Sequence, residues 1–204
     1  MGWYEERLLP RCIDLALGSR AMAPLRRRAM EGLSGTVLEV GFGSGTNVGL
    51  YPDEVERVLG VEPSETARRM ARKRIDRSPF PIDMVGLDGE QLPLDDASVD
   101  HALSTWTLCT IPDAHAALGE IRRVLRPGGR LFYLEHGLSD DERVARRQHR
   151  WNGVQQRIAG GCNLNREIDG LLREAGFVLE RQATFTITGP ATLSYMYAGV
   201  AGPG

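Results

Sequence analysis

Strand-forming and helix-forming segments alternate along the chain between about residues 35 and 136, and this alternation constrains the fold more than any other feature. The strand-forming segments, which include "TVLEVG", "RVLGVEP" and "RLFYLEH", are almost continuously apolar. Such strands are typical of a parallel sheet that is covered by helices on both faces. The sequence therefore predicts an α/β fold, with helices over 48–55, from Ser64 onward and from Pro112 onward.

Two further strand-forming segments, "FVLERQATFTI" and "LSYMYAGVA", follow a helix predicted over about 166–175. The link between them, at Gly189 and Pro190, is too short to hold a crossover helix, so the two strands must be antiparallel. The prediction is a seven-stranded, mostly parallel sheet with a C-terminal antiparallel strand.

The chain has 204 residues, of which 42% are hydrophobic, and this is enough apolar material for one good core. We expect a single domain over 1–204, with residues 1–33 as an N-terminal helical cap. Lys and Arg total 25 against 27 Asp and Glu, so the broad positive field that non-specific nucleic-acid binding requires is missing.

The three cysteines, Cys12, Cys109 and Cys162, lie far apart and form no C-x-x-C pair. This spacing argues against a metal site and against a disulfide framework, and it favours a reducing, cytoplasmic location. Charged residues interrupt the apolar residues of the N-terminal segment, so neither a signal peptide nor a membrane span is expected.

Three glycines, Gly41, Gly43 and Gly45, follow the first strand in "VLEVGFGSGTN". In an open parallel sheet the first strand-to-helix turn faces the ligand crevice, and glycines permit positive φ angles and close approach of the backbone to a ligand. The dinucleotide fingerprint G-x-G-x-x-G needs a glycine where Thr46 stands, which disfavours a nicotinamide oxidoreductase. A tight turn that binds nothing is the alternative.

Carboxylates follow the second and third strands. Glu62 lies where a carboxylate accepts both hydroxyl protons of a ribose, although it could also be a solvated acid at a strand end. Asp88 is positioned to meet an adenine amino group, or it could cap the turn that follows it.

Five motifs in order resemble those of the class I S-adenosylmethionine (SAM)-dependent methyltransferases, in the subgroup of the ubiquinone and menaquinone methyltransferases. They are "VLEVGFGSG", "VEPS", "GLDGEQLPLDDASVD", "TLCTIP" and "VLRPGGRLFYLEH". A narrower likeness, in "LCTIPD", "LEH" and "GCNLNREIDGLLREAGF", is to the methyltransferase-like proteins that methylate alkyl thiols and to bacterial phospholipid methyltransferases. The resemblance implies a Rossmann-like fold, SAM as cofactor and S-adenosylhomocysteine as product.

The resemblance also implies the site. The glycine turn and Glu39 would hold the amino-acid end of the cofactor, Glu62 the ribose, Asp88 and Gly89 the adenine, and Thr105 would lie under the sulfonium. With their neighbours, the predicted cofactor-binding residues are Glu39, Gly41, Gly43, Gly45, Asn47, Glu62, Pro63, Asp88, Gly89, Glu90 and Thr105.

His136, at the end of the fifth strand, is the predicted catalytic residue. A histidine titrates near neutrality and can remove a proton from an acceptor that starts protonated, although this one could merely hydrogen-bond a lid. Cys162 has no histidine near it in the sequence, so a packed thiol is expected rather than a nucleophile.

The polar, arginine-rich segment 137–165 breaks the strand–helix alternation and is a candidate lid or substrate segment. Its arginines could receive an anionic substrate or a membrane headgroup, or form a solvated helix face. The leading hypothesis is methyl transfer to a small, fairly apolar thiol, phenol, quinone-type hydroxyl or amine. The alternatives are methylation of a phospholipid headgroup at a membrane surface, and SAM binding without catalysis.

Overall fold

The computed structural model describes Tyr4 and residues 7–204. The helices span Leu9–Leu17 (α1), Ala23–Ala29 (α2), Glu65–Ile75 (α3), Ala114–Val124 (α4), Glu142–Ile158 (α5) and Ile168–Glu174 (α6). The strands span Gly35–Val40 (β1), Val55–Val61 (β2), Ile82–Gly86 (β3), Val99–Thr105 (β4), Leu125–His136 (β5), Phe177–Thr186 (β6) and Tyr195–Pro203 (β7).

The seven strands form one sheet in the order β3-β2-β1-β4-β5-β7-β6. The first five strands in this order, β3, β2, β1, β4 and β5, are parallel to one another. Strand β7 runs antiparallel to both of its neighbours, β5 and β6. The predicted fold, a mostly parallel seven-stranded sheet with a C-terminal antiparallel strand, is confirmed. Because the order reverses between β1 and β4, the ligand crevice lies beyond the carboxyl ends of these two strands.

Apolar side chains cover both faces of the sheet, as the nearly continuous apolar strands predict. Along β1, Leu38 and Val40 belong to a core with α4 and α6, whereas Val37 belongs to the core on the opposite face. That second core includes Met30, after α2, and Ala71 of α3. Successive side chains of a strand point to opposite faces, so a strand buried on both sides must be apolar throughout.

Two predicted helix starts are confirmed and one predicted helix is wrong. The Ser64 hydroxyl accepts from Ala67 N at 3.2 Å and caps α3, and Asp113 caps α4 in the same way. Of the residues 48–55, by contrast, 48–54 are irregular and mostly in turns, and Val55 begins β2. Gly49 has a φ of +84°, and Pro52 lacks the N–H that a helix interior needs, so this stretch cannot propagate a helix.

Most of the segment 137–165 is the helix α5. Asp141 caps its start by accepting from Arg143 N at 2.7 Å and Val144 N at 3.1 Å. The buried Gln148 side chain holds it to the sheet by donating to the carbonyls of Gly137, at 2.9 Å, and Thr192, at 3.1 Å. Among the described residues, no helix is both long enough and apolar enough to cross a bilayer.

Candidate cofactor and active site

The glycine turn leaves β1 with a backbone that only glycine adopts readily. Gly41, Gly43 and Gly45 have φ angles of +73°, +58° and +76°. A Cβ on Gly41 would lie 2.0 Å from Thr107 Oγ1, because the chain that follows β4 packs directly against the turn. The turn is therefore tightly packed between the end of β1 and the residues that follow β4.

Glu62, just beyond β2, is bonded to this turn. Its Oε2 accepts from Gly43 N and its Oε1 from Ser64 N, each at 2.8 Å. Burial raises the pKa of Glu62, and the two backbone hydrogen bonds oppose that rise. Glu62 is 7% exposed, so the alternative of a solvated acid at a strand end is wrong.

A buried polar cluster lies beneath the turn. Asn47 Nδ2 donates to Glu39 Oε1 at 2.5 Å and lies 3.1 Å from Thr105 Oγ1. The Tyr51 hydroxyl donates to the other oxygen of Glu39. Arg26 Nη1 donates to Asn47 Oδ1 at 2.8 Å and to Thr105 Oγ1 at 3.2 Å. Three of the predicted site residues, Glu39, Asn47 and Thr105, are thus brought together.

Burial also changes the acid–base properties of this cluster. Burial raises the pKa of the Glu39 carboxyl to about 7, although the hydrogen bonds from Tyr51 and Asn47 lower it. Burial also lowers the pKa of Arg26 to about 10, although the charge of Glu39 raises it. The Arg26 guanidinium lies 4.7 Å from the ring centroid of Trp106, which has a φ of +52°. A bulky residue in the left-handed region is uncommon and often marks a functional site.

The residues predicted to meet the adenine lie after β3, apart from this cluster. Asp88 is exposed and accepts from Glu90 N at 2.8 Å, so it does cap its own turn. Gly89 lies against the end of β1, where a Cβ would come within 2.9 Å of Val40. Pro63 is exposed beside Glu62. The contact of Asp88 with adenine stays a prediction.

His136 is buried at the end of β5, with 3% of its surface exposed. Its Nδ1 lies 3.7 Å from Cys162 Sγ, and Cys162 Sγ lies 3.8 Å from Cys109 Sγ. Cys162 thus has a histidine neighbour in the fold although it has none in the sequence, and its expected role as a packed thiol stays a prediction. The contact with Cys162 raises the pKa of Cys109, and contacts with Cys109 and His136 lower the pKa of Cys162.

Comparison with known proteins identifies the family. A family model described as a methyltransferase domain matches residues 38–133. A human thiol S-methyltransferase, TMT1B, is 34% identical over 173 residues, and the match covers 76% of this chain and 67% of the relative. The chain belongs to the class I SAM-dependent methyltransferases.

Two further comparisons describe the range of this methyltransferase's relatives. The phosphatidylethanolamine N-methyltransferase of Cereibacter sphaeroides is 28% identical over 131 residues, covering 62% of this chain and 64% of that protein. A solved SAM-dependent methyltransferase from Thermotoga maritima, described as a possible histamine N-methyltransferase, matches with a TM-score of 0.69 and 25% identity, covering 98% of each chain. This chain spans 59% to 67% of the length of the two human thiol S-methyltransferases that it matches.

The cofactor of the methyltransferase is SAM, and the residues at the turn fit it. SAM combines a zwitterionic amino-acid end, a cationic sulfonium and a ribose. The glycine turn offers backbone polar groups without side chains in the way, and Glu62 presents a carboxylate beside them. The buried Glu39 carboxyl lies beneath the turn, bonded to Asn47.

Replacing Gly41 by alanine should weaken SAM binding. The new Cβ would strike Thr107 and would also strain a backbone at positive φ, so the turn must move. Gly49→Ala is a matched control, because Gly49 has a φ of +84° but, among the described residues, no atom within 4 Å of its Cβ position. Calorimetric titration with SAM should show a lower affinity for Gly41→Ala and near wild-type affinity for Gly49→Ala. Equal affinities in all three proteins would contradict the tight packing of the turn.

Glu62→Ala should weaken SAM binding roughly ten- to hundredfold. A charge-assisted hydrogen bond contributes about 1.5 to 3 kcal/mol, and the variant also releases Gly43 N from its partner. The control is Glu65→Gln, which removes an exposed carboxylate from the first turn of α3. The same titration reports both variants, and an unchanged affinity in Glu62→Ala would exclude Glu62 from the cofactor site.

Several residues of the site had no signal in the sequence. Arg26 lies in "PLRRRAM", where its neighbours Arg27 and Arg28 are exposed and only the fold distinguishes it. Tyr51 lies outside the five quoted motifs, and Thr107, although it begins "TLCTIP", is neither a glycine nor an acid. For the cluster of Cys109, His136 and Cys162 a signal existed, because "LCTIPD", "LEH" and "GCNLN" each contribute one member.

Proposed function

We propose that the methyltransferase transfers the methyl group of SAM to the sulfur of a small, fairly apolar thiol. The observation that carries the proposal is the convergence of three segments that resemble thiol-methylating proteins. They place His136, Cys109 and Cys162 together at the end of β5, beside the end of β4. The human relatives named as thiol S-methyltransferases support the same acceptor.

In this proposal the chain mainly supplies alignment and a dry site. When bound, SAM supplies an activated methyl group on its sulfonium. The glycine turn, Glu62 and Thr105 hold the cofactor, and alignment of the acceptor with it lowers the barrier. His136 acts on the acceptor, because a thiol starts protonated and must lose its proton before or during methyl transfer.

The segment 137–165 is proposed to close the acceptor side together with the first helices. The Tyr4 hydroxyl donates to the carbonyl of Ile158 at 2.9 Å, and a Cβ on Gly160 would lie 2.7 Å from Leu9. The N-terminal cap and the end of α5 therefore meet, as two parts of a lid over one site would.

The acceptor is tested with a panel of an alkyl thiol, a phenol and a primary amine, each assayed by release of S-adenosylhomocysteine. The proposal expects turnover with the thiol well above that with the phenol or the amine. Turnover of the phenol or the amine alone would contradict the acceptor but keep the methyltransferase. SAM binding without turnover of any acceptor would favour a binding protein.

A second candidate function, methylation of a phospholipid headgroup, is favoured by an exposed apolar face on α5. Trp151, Val154 and Ile158 are 52%, 45% and 54% exposed and lie at positions that share one side of the helix. Arg147 and Arg150 lie on the same helix, and basic amphipathic helices bind anionic membrane surfaces. The Cereibacter relative is named for such a reaction.

Sedimentation with anionic vesicles tests this candidate. Lipid methylation predicts that the methyltransferase sediments with phosphatidylglycerol vesicles, that a Trp151→Ser variant sediments less, and that phosphatidylethanolamine is methylated. Absence of sedimentation, with thiol turnover intact, would leave the thiol as acceptor.

A further inference from the structure

We propose that Cys109, His136 and Cys162 form a metal site that holds one zinc ion through three ligands and leaves its fourth position open. The two sulfurs and a ring nitrogen of His136 all lie within 4.8 Å of one another. The inference rests on the proposed function only for what fills the open position. The metal site itself does not depend on the acceptor.

Two of the three separations among these atoms suit a tetrahedral zinc ion, and the third is no more than 4.8 Å. Zinc binds thiolate sulfur at about 2.3 Å and imidazole nitrogen at about 2.0 to 2.1 Å, so tetrahedral ligands lie about 3.8 Å apart for two sulfurs and about 3.6 Å apart for sulfur and nitrogen. The observed separations are 3.8 Å between Cys109 and Cys162 and 3.7 Å between Cys162 and His136 Nδ1. Two sulfurs and one nitrogen are also the ligand types that zinc prefers.

The second ring nitrogen of His136, Nε2, also points to a ligand. This nitrogen is buried and finds no hydrogen-bond partner within the part of the chain that the structure describes. A buried polar atom without a partner is unfavourable, so such an atom calls for a ligand. Nδ1 therefore lies beside the thiols, and Nε2 stays available to a ligand.

The surrounding backbone fixes the two thiols. Asn163, which follows Cys162, donates through its backbone N at 2.8 Å and its Nδ2 at 3.0 Å to the carbonyl of Cys109. Cys109 is buried and Cys162 is partly exposed, so the cluster is open on the side of Cys162. Three protein ligands with one accessible position are the arrangement of catalytic rather than structural zinc sites.

An open position gives the site a chemical use. A thiol acceptor that coordinates there would form a zinc–sulfur bond, break its S–H bond and release the proton to water, and it would be held as a thiolate. His136 would then serve as a ligand and not as the general base predicted from the sequence. The two roles exclude each other, because a neutral imidazole that binds the metal through one nitrogen carries a proton on the other and has no lone pair left to accept one.

The test measures metal binding directly, on the whole reduced chain. The wild type and the variants Cys109→Ser, Cys162→Ser and His136→Gln are compared with Cys12→Ser, which removes an exposed cysteine of α1. Zinc content is measured by elemental analysis, and Co²⁺ titration is followed by its thiolate charge-transfer and tetrahedral absorption bands. The expected result is one zinc per chain and both cobalt signals in the wild type and in Cys12→Ser, and loss of both in the three ligand variants.

SAM affinity shows that each variant is folded, and a rise in Tm on addition of Zn²⁺ to the wild type but not to Cys162→Ser is a second readout. Zinc content and cobalt spectra that do not differ between the wild type and Cys162→Ser would overturn the proposal. A Cys109–Cys162 disulfide that persists in the reduced preparation would also overturn the proposal, because the two thiols would then not be available as ligands. Metal binding without thiol turnover would contradict the proposed acceptor alone, and thiol turnover without metal binding would contradict the metal site alone.

Discussion

Arg26→Met should destabilise the methyltransferase by about 3 kcal/mol, the lower end of the range for removing one partner of a buried charge pair. Arg26 is 4% exposed, and it reaches Glu39 through the side chain of Asn47 rather than by direct contact. The variant leaves Glu39 buried without its balancing charge and Thr105 Oγ1 without a donor from α2. Urea unfolding measures the loss.

The loss should be larger near about pH 8 than near about pH 5. Folding raises the pKa of Glu39 to about 7 from its ordinary value of 4.5, so the native state holds a proton there that the unfolded state releases. The stability that the protonated Glu39 carboxyl contributes is fully present below pH 4.5, and it is lost as the pH rises through about 7. Without Arg26 the pKa of Glu39 should rise further, and the fall in stability should extend to higher pH.

Arg27→Met is the matched control, because Arg27 is the exposed neighbour of Arg26 on the same helix. It should unfold like the wild type at both pH values. The double variant Arg26→Met/Glu39→Gln should recover part of the loss, since the buried carboxylate is then gone. A destabilisation of Arg26→Met that is the same at both pH values would show that packing, and not the charge of Glu39, carries the effect.

His136→Ala should lower turnover about a hundredfold or more while leaving SAM affinity unchanged. The side chain lies at the end of β5, beside the two thiols, whereas the residues proposed to hold the cofactor follow β1 and β2. Single-turnover rates and SAM titration of the same preparation separate these two quantities. His115→Ala removes an exposed imidazole on α4 and should behave like the wild type.

Comparison with Cys162→Ser then distinguishes the two roles of His136. A base acts alone, so only His136→Ala should be slow. A metal ligand acts together with the other ligands, so Cys162→Ser should lower turnover by a similar factor. The losses of turnover in the two variants should not add when the substitutions are combined. Full turnover in His136→Ala would exclude His136 from both roles.

The sequence was sufficient for the sheet because every strand of a two-sided parallel sheet must be apolar, and because the short link at Gly189 and Pro190 leaves only an antiparallel pair. It failed at 48–55, where apolar residues at helical spacing competed with Gly49 and Pro52, and the backbone preferences of these two residues prevailed. Local backbone rules therefore outweighed periodicity in that short stretch.

The positions of Gly41 and Glu62 at one turn could be predicted because a motif fixes the backbone there, and their contacts with the cofactor stay predictions. Residues that only tertiary contact selects were missed. Arg26 is one of three consecutive arginines, and nothing in the sequence marks the one that turns inward. The sequence disfavours a metal site only through the spacing of its cysteines. That spacing rule describes ligands supplied by one loop, whereas the proposed ligands Cys109, His136 and Cys162 come from three separate segments.

The position of β7 between β5 and β6 affects how the chain is made as well as how it is arranged. β6 reaches the rest of the sheet through β7, which is synthesised after it, so the edge of β5 stays unpaired until Tyr195–Pro203 has been added. Residues 137–194 separate the two strands, and at the usual pace of translation they take about 3 to 12 seconds to synthesise. For that time the nascent chain presents an open apolar strand, which is the kind of surface that chaperones bind and that drives aggregation when they are scarce.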